Sequence, residues 1–300
     1  MTDNVKGILA ILASACGFVI NDALVKLTTA ELPNGEIIFV RGVLATLILA
    51  AAATFSGAWR PPAVLLQPAM IVRLITSAGA TMFIVAALRH LPLATTAAIL
   101  QLTPLIVTAG AAVLLRAPVG WRRWMASAVG FAGVLLIVKP GSNSFVPEIW
   151  IALTSLLFTS TRDLTTRFIH SGVPSLLVAV ASSAIVMLAG LTLFPFEIWT
   201  FPSTRAWMLL TAASVCIYFA YYFGIVAMRI GEIAVVAPFR YSLVLLALLL
   251  SWIVWGYVPD MLSFAGMAVI CGAGIYLLHR ERLNNRAAAL AMDTAKPTTV

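Results

Sequence analysis

The stretch Asp22-Ala23-Leu24-Val25-Lys26, with Pro33 seven residues later, recurs in the second half of the chain as Asp163-Leu164-Thr165-Thr166-Arg167, with Pro174 seven residues later. Each copy lies near the end of one long apolar run and is followed by another. The chain is therefore predicted to consist of two related halves, residues 1–141 and 142–282, followed by a tail, residues 283–300.

The composition indicates that most of the chain contacts lipid. Of 300 residues, 62% are hydrophobic and 10% are charged, and the mean hydropathy is +1.03. An average soluble domain has about 25% charged residues, so this composition excludes a soluble globular protein. Because so little polar surface is available, most of the exterior must face the hydrocarbon core of a bilayer.

Ten apolar windows are long enough to cross about 30 Å of hydrocarbon as α-helices. Short connections with turn signals, such as Pro33-Asn34-Gly35 and Pro259-Asp260, separate them. The sequence therefore predicts an all-α polytopic membrane protein with ten transmembrane helices. Numbered 1 to 10, the predicted helices cover residues 7–28, 36–56, 70–90, 93–114, 122–140, 148–169, 174–194, 206–229, 232–254 and 261–279.

The repeat continues beyond the quoted stretch and gives each half five helices. Three later positions also correspond, at an offset one residue shorter: Arg89 with Arg229, Ala94 with Ala234, and Trp124 with Phe264. Since five is an odd number, the two halves must enter the membrane in opposite directions. Inverted repeats are typical of transporters, in which the halves expose a central cavity to each side in turn.

The distribution of lysine and arginine predicts the orientation, because these residues favour cytoplasmic loops. With the N-terminus inside, most basic residues are cytoplasmic, and the exceptions are Lys26, Arg89, Lys139 and Arg205. Both termini are therefore predicted to be cytoplasmic, and the polar tail is predicted to be disordered. The formal charge of +8 does not indicate nucleic-acid binding, since the basic residues are scattered between apolar runs.

The ten-helix pattern resembles the EamA family of the drug/metabolite transporter superfamily. The residues that carry the resemblance are Asp22 to Lys26, Arg41 and the stretch from Ala87 to Pro104, within a likeness that covers residues 5–280. The chain looks most like bacterial amino-acid exporters, particularly the aromatic amino-acid branch. The resemblance implies a bacterial inner membrane and a cavity lined by helices 1, 3, 4, 6, 8 and 9, with helices 5 and 10 peripheral.

Two acidic residues are candidates for coupling or gating. Asp22 with Lys26, and Asp163 with Arg167, stand four residues apart, the spacing at which such side chains pair on a helix. Intramembrane carboxylates often mark an ion or substrate path. The alternative is a neutralised pair that anchors the helix end.

Predicted helices 4 and 9 place polar groups near the midplane in both halves. In helix 9, Pro238 should bend the helix, and Arg240 could bind a substrate carboxylate or pair with an aspartate. Helix 4 carries Gln101 and Thr103 beside a proline, and Gln101 corresponds to Tyr241 of helix 9. These groups could line a cavity or could join helices by hydrogen bonds.

An aromatic wall is the second candidate substrate-binding feature. Tyr218 and Tyr222 share a face of helix 8, and with Met82 and Phe158 they could contact an apolar or aromatic side chain. Ordinary core packing is the alternative. Asn21, next to the first intramembrane aspartate, completes the predicted substrate-binding residues.

The predicted function is secondary transport of small organic metabolites by alternating access, as an exporter of amino acids including aromatic ones. The alternatives are efflux of lipophilic cations or drugs, transport of a nucleoside, riboflavin or sugar, and, more remotely, an intramembrane enzyme or lipid scramblase. Clustered catalytic groups and metal-ligand spacings are missing from the sequence, so an enzyme is not expected, and neither is a cofactor. Small residues such as Ala126 and Gly130 permit a homodimer.

Overall fold

The computed structural model describes residues 3–114, 121–138, 146–166, 168–170, 172–230 and 236–294. In these ranges the chain forms eleven α-helices and three short 3-10 helices, with no β-strand. This all-helical architecture confirms the predicted fold class. The helices, α1 to α11, are Asp3–Thr28, Asn34–Phe55, Pro68–His90, Leu93–Leu100, Thr103–Leu114, Trp121–Val138, Ile149–Thr166, Ser175–Leu191, Thr204–Ile230, Ser242–Trp255 and Met261–Thr294.

Five of these segments are long and apolar enough to cross a bilayer. They are Asp3–Thr28, Asn34–Phe55, Pro68–His90, Ser175–Phe196 and Thr204–Gly224. Large apolar side chains cover the outside of the bundle, and Phe55, Ile198 and Phe201 are each about nine-tenths exposed. Such a surface is stable next to lipid, which does not penalise exposed hydrocarbon as water does.

Each helix of the first half packs against a helix of the second half. The pairs are α1 with α9, α2 with α8, α3 with α7, α4 with α10, α5 with α7, and α6 with α11. Under the repeat, α1 corresponds to α7 and α3 corresponds to α9, so the α1–α9 and α3–α7 contacts are equivalent. This is the pairing expected of two halves with opposite orientation.

The contact between α1 and α9 is built from small residues that recur every seven positions. In α1 they are Gly7, Ser14, Asn21 and Thr28, and in α9 they are Ala206, Ala213, Ala220 and Ala227. All eight residues are buried. Small side chains at this spacing let two helices approach closely along one seam, which is how helices associate inside a membrane.

Two hydrogen bonds occupy corresponding positions in the two halves. The Ser14 hydroxyl of α1 donates to the Ala220 carbonyl of α9 at 2.7 Å, and the Ser155 hydroxyl of α7 donates to the Ala80 carbonyl of α3 at 3.0 Å. Ser14 corresponds to Ser155 at the same offset as Asp22 to Asp163. Both serines are buried, so both bonds are shielded from water.

The prediction of one continuous helix over residues 93–114 is wrong. Helix α4 ends at Leu100 and α5 begins at Thr103. Pro104 has no N–H to donate to the Leu100 carbonyl, and the Thr103 hydroxyl donates to that carbonyl at 2.6 Å instead. The helix is therefore interrupted where its proline removes a backbone hydrogen bond.

The start of predicted helix 9 also differs from a regular α-helix. Residues Ala237–Tyr241 form a 3-10 helix with Pro238 in its first turn, and α10 follows from Ser242. Residues 231–235 lie outside the described residues. Both halves therefore change helix geometry at the corresponding positions Gln101 and Tyr241, where the sequence placed polar groups.

The C-terminal boundary is a further correction. Helix α11 continues to Thr294, so residues 283–294 are helical where the sequence analysis predicted disorder. The segment from Arg286 to Ala291 contains four alanines and a leucine, all strong helix formers, and it continues a helix that is already formed. Residues 295–300 lie outside the described part of the chain.

Candidate functional site

Three polar side chains form a bridge between α1 and α2 inside the bundle. The Asn21 Nδ2 donates to Asp22 Oδ1 at 2.8 Å, and Arg41 Nη1 donates to Asn21 Oδ1 at 3.2 Å. Arg41 and Asp22 also attract each other electrostatically. Asn21 is buried, whereas Asp22 and Arg41 remain partly accessible although protein encloses both. This combination of depth and access is typical of side chains that line an internal polar space.

Lys26 does not form the predicted ion pair with Asp22. Its ammonium group donates to the Leu88 carbonyl at 2.5 Å and to the Leu91 carbonyl at 2.8 Å, and it lies 5.7 Å from the centre of the Trp255 ring. The last carbonyls of α3 carry partial negative charge and lack partners within their helix. They therefore hold Lys26, which ties the end of α1 to the end of α3.

The second half neutralises its carboxylate in another way. Arg162, the neighbour of Asp163 in sequence, forms an ion pair with it, with Nη2 to Oδ1 at 2.8 Å and Nε to Oδ1 at 2.9 Å. Arg167, the predicted partner, lies outside the described residues. The structure therefore identifies Arg162 as a partner of Asp163 that the four-residue spacing did not indicate.

Arg73 of α3 reaches the same end of α7. Its Nη1 donates to the Thr166 hydroxyl and, at 3.5 Å, to the Arg162 carbonyl. It also lies close enough to Arg162 and Asp163 for electrostatic interaction with both. Among the described residues, two guanidinium groups therefore lie near one carboxylate.

Tyr221 of α9 lies between the charged groups of the two halves. It lies near Arg41, Arg73 and Arg162, and its ring packs edge-on against Phe18 with centroids 5.3 Å apart. Despite these neighbours, Tyr221 is 48% exposed. About half of the Tyr221 side chain is therefore left uncovered by protein atoms.

The residues of the predicted aromatic wall have different packing partners among the described residues. Phe158 stacks on Phe83 with centroids 5.5 Å apart, and Met82 packs in the core formed mainly by α1, α2 and α9. Tyr218 and Tyr222 each pack edge-on against the phenylalanine that follows them. At 100° per residue, both tyrosines face away from the Ala220 seam with α1.

The predicted midplane residues meet through the backbone. The Gln101 Nε2 donates to the Arg240 carbonyl at 3.0 Å, which joins the break in helix 4 to the 3-10 helix of the second half. The Arg240 side chain is exposed. The Tyr241 hydroxyl is buried against Gly274 and has no hydrogen-bond partner among the described residues.

One end of the bundle, which we call the Pro33 end, is closed by hydrogen bonds between side chains and neighbouring helices. It contains the end of α1 and the start of α2. Arg89 donates to the Asn34 side chain at 2.8 Å and to the Leu32 carbonyl at 2.5 Å. Further bonds at this end join Arg205 and Ser203 to Glu31, Gly35 and Trp199 to Glu197, and Thr200 to Glu36.

Sequence reasoning missed Arg73, Arg162 and Tyr221 as site residues. Arg73 and Arg162 resembled ordinary cytoplasmic basic residues near helix ends, and their mutual proximity depends on how α3 and α7 pack. A signal for Tyr221 does exist in the sequence. The alanines at every seventh position of α9 mark its face toward α1, and Tyr221 stands next to that stripe.

Comparison with known proteins agrees with this architecture. Residues 5–139 match the EamA-like transporter family. The chain is 24% identical to the S-adenosylmethionine uptake transporter of Rickettsia prowazekii, with 92% of this chain and 94% of the relative covered. It is 28% identical to the pseudopaline exporter of Pseudomonas aeruginosa, with 92% and 96% covered.

Two further similarities extend this result. The riboflavin transporter of Vibrio cholerae is 26% identical, with 63% of each protein covered. A protein of known crystal structure matches 93% of this chain and 99% of its own with a TM-score of 0.64 and 21% identity, which shows a shared fold. The EamA assignment made from the sequence is confirmed for residues 5–139, and the chain is a multi-pass membrane protein of the small-metabolite transporter type.

Proposed function

We propose that this chain, whose residues 5–139 form an EamA-family domain, is a secondary transporter that exports amino acids, including aromatic ones, across a bacterial inner membrane by alternating access. The proposal rests on one observation above all. Each half contains a carboxylate with an arginine partner, Asp22 with Arg41 and Asp163 with Arg162, and both arginines lie near one tyrosine, Tyr221.

An amino acid is a zwitterion, so a site that transports it needs an acceptor for the ammonium group and a donor for the carboxylate. Carboxylates and guanidinium groups supply both in this interior. Phe18 and Tyr221 add aromatic surface beside the charges, which suits an aromatic side chain. The positions predicted from the sequence, including Arg240, Gln101 and the α9 tyrosines, remain candidate contacts on the same path.

The relatives support the general activity and widen the set of substrates to be tested. One relative is named as an S-adenosylmethionine uptake transporter, and S-adenosylmethionine is itself an α-amino acid. Another is named as a riboflavin transporter, and riboflavin has neither a carboxylate nor an ammonium group. Transport of S-adenosylmethionine would therefore agree with the zwitterion proposal. Transport of riboflavin alone would contradict it.

The decisive experiment is uptake by proteoliposomes that contain the purified chain. Labelled phenylalanine, tryptophan and threonine are offered separately, with S-adenosylmethionine, riboflavin and a lipophilic cation in parallel. We expect saturable uptake of the amino acids, inhibited by excess unlabelled amino acid and missing from empty liposomes. Uptake of the cation alone would replace the proposal with drug efflux.

A further inference from the structure

Arg73 keeps an unused hydrogen-bond donor next to the polar interior. Its Nη1 is engaged by Thr166 and the Arg162 carbonyl, but its Nε is shielded from solvent and has no partner among the described residues. A buried donor without a partner costs free energy, so such an arrangement is uncommon unless another state or a ligand satisfies the donor. The Nε belongs to the edge of the guanidinium group that binds carboxylates in a bidentate manner.

The charges around Arg73 also lack balance. The interior cations Arg41, Arg73 and Arg162 face the carboxylates Asp22 and Asp163, which leaves one positive charge in excess when both carboxylates are ionised. Each carboxylate already has an arginine of its own: Arg41 for Asp22, and Arg162 for Asp163. Among the described residues, Arg73 is therefore the cation without a carboxylate of its own, and a partly buried charge without a counter-charge is costly.

Tyr221 supplies the accessible neighbour that a ligand would meet. It lies near Arg73 and Arg162, and 48% of its surface is not covered by protein. A phenol hydroxyl can donate a hydrogen bond to a carboxylate oxygen while its ring packs against an apolar side chain. Phe18, in edge-on contact with Tyr221, continues the same aromatic surface.

We propose that Arg73 and the Tyr221 hydroxyl bind the carboxylate of the transported molecule, so that this pair determines selectivity for carboxylate-bearing substrates. This inference rests on the proposed function and places the carboxylate site at α3 and α9 instead of at Arg240. Binding requires the Arg73 side chain to turn from Thr166 toward the interior. In the new orientation, Arg73 loses its hydrogen bond to the neutral Thr166 hydroxyl. It gains two charge-assisted hydrogen bonds to the carboxylate, one of them from the Nε that had no partner.

The test compares phenylalanine with phenylalaninamide, which keeps the ammonium group and the ring but has no carboxylate. Wild-type proteoliposomes should prefer the acid, and Arg73→Gln should raise the half-saturation concentration for phenylalanine roughly 10-fold or more. Uptake of the amide should not fall, so the ratio of acid to amide uptake should collapse. Tyr221→Phe should reduce the same ratio several-fold.

Three variants act as controls in this test. Arg60→Gln removes an exposed cation that bonds to carbonyls of its own loop, and it should leave the ratio unchanged. Arg73→Lys keeps the charge without the planar fork and should give an intermediate ratio, which also covers the case in which Arg73→Gln fails to insert. Arg240→Gln tests the competing location.

The outcomes separate this inference from the function on which it rests. If wild-type protein takes up no amino acid, the proposed function fails and the assignment of Arg73 fails with it. If wild-type protein prefers the acid and Arg73→Gln keeps that preference, the function stands and the assignment is wrong. Loss of the preference in Arg240→Gln but not in Arg73→Gln would move the carboxylate site to the second half.

Discussion

The two halves of the molecule carry the same carboxylate but neutralise it differently. In the first half, Asp22 on α1 faces Arg41 on α2, and Asn21 bridges them. In the second half, the arginine is Arg162, next to Asp163 on the same helix. At the repeat offset, Arg162 stands where the first half has Asn21.

In both halves the carboxylate has an arginine partner, but the arginine comes from a different position. An arginine on a second helix holds two helices together, whereas an arginine on the same helix moves with its carboxylate. The first half should therefore behave as a unit in which α1 and α2 are joined electrostatically. In the second half, α7 can separate from α8 without separating this ion pair.

The largest expected difference is between Asp22→Asn and Asp163→Asn. Without Asp22, Arg41 remains enclosed without a counter-charge, and we expect a loss of about 3 kcal/mol of stability. Without Asp163, Arg162 remains at a helix end where its side chain is 26% exposed and water screens it, so about 1 kcal/mol should be lost. Thermal unfolding of the purified variants in detergent measures both.

The matched control for these variants is Asp3→Asn, since Asp3 pairs with Lys6 at an exposed position. It should change the unfolding temperature very little. Equal losses for Asp22→Asn and Asp163→Asn would contradict the distinction between the halves.

The double variant also addresses proton coupling, because full pH-dependent transport in Asp22→Asn, Asp163→Asn would exclude both carboxylates as coupling groups.

An intermediate effect is expected where the halves differ in packing. Gly17 of α1 corresponds to Phe158 of α7, and the Phe158 ring lies over Gly79, where an added Cβ would be 2.7 Å from it. We expect Phe158→Ala to cost about 2 kcal/mol, since it leaves a void and removes the stacking on Phe83. Gly79→Ala should destabilise wild-type protein but be tolerated in Phe158→Ala, as a double-mutant cycle would show.

Among the described residues, Gly17, the first-half position that corresponds to Phe158, has no large side chain beside it whose truncation could make room for an added Cβ. A Cβ at Gly17 would lie 3.0 Å from the Ala220 Cβ and 3.1 Å from the Cys216 carbonyl, so Gly17→Ala would push α1 and α9 apart. We expect a loss of about 1 kcal/mol that no single side-chain truncation relieves. Strictly additive effects of Gly79→Ala and Phe158→Ala would contradict the described contact.

The smallest effect is expected where the halves are most alike. Ser14→Ala and Ser155→Ala each remove one serine-to-carbonyl hydrogen bond inside the bundle, and each should cost about 1 kcal/mol or slightly less. The two losses should agree closely. Thr161→Ala, which removes an exposed hydroxyl bonded within its own helix, serves as the control. A loss confined to one serine variant would mean that the bonds are not equivalent.

Much of this fold could be predicted from the sequence, because the length of each apolar run indicates a membrane-spanning helix and the repeated residues relate the two halves. The match of Asp22 with Asp163 placed the charged positions correctly along their helices. Sequence could not give their partners, since these depend on the rotation of each helix about its axis. Lys26 bonds to carbonyls at the end of α3 and not to Asp22. Tyr221 lies near the arginines, although the sequence had suggested Tyr218 and Tyr222 as site residues.

The hydrogen bonds at the Pro33 end also set an energetic condition on transport. Opening that end would release Lys26 from the last carbonyls of α3 and Arg89 from Asn34 and Leu32. The bonds lost there must be replaced elsewhere for the open form to be populated, or the bound solute must favour that form by an equivalent free energy. In the proposed transport cycle, the population of the open form would therefore depend on how much more tightly the solute binds that form than the form with the Pro33 end hydrogen-bonded.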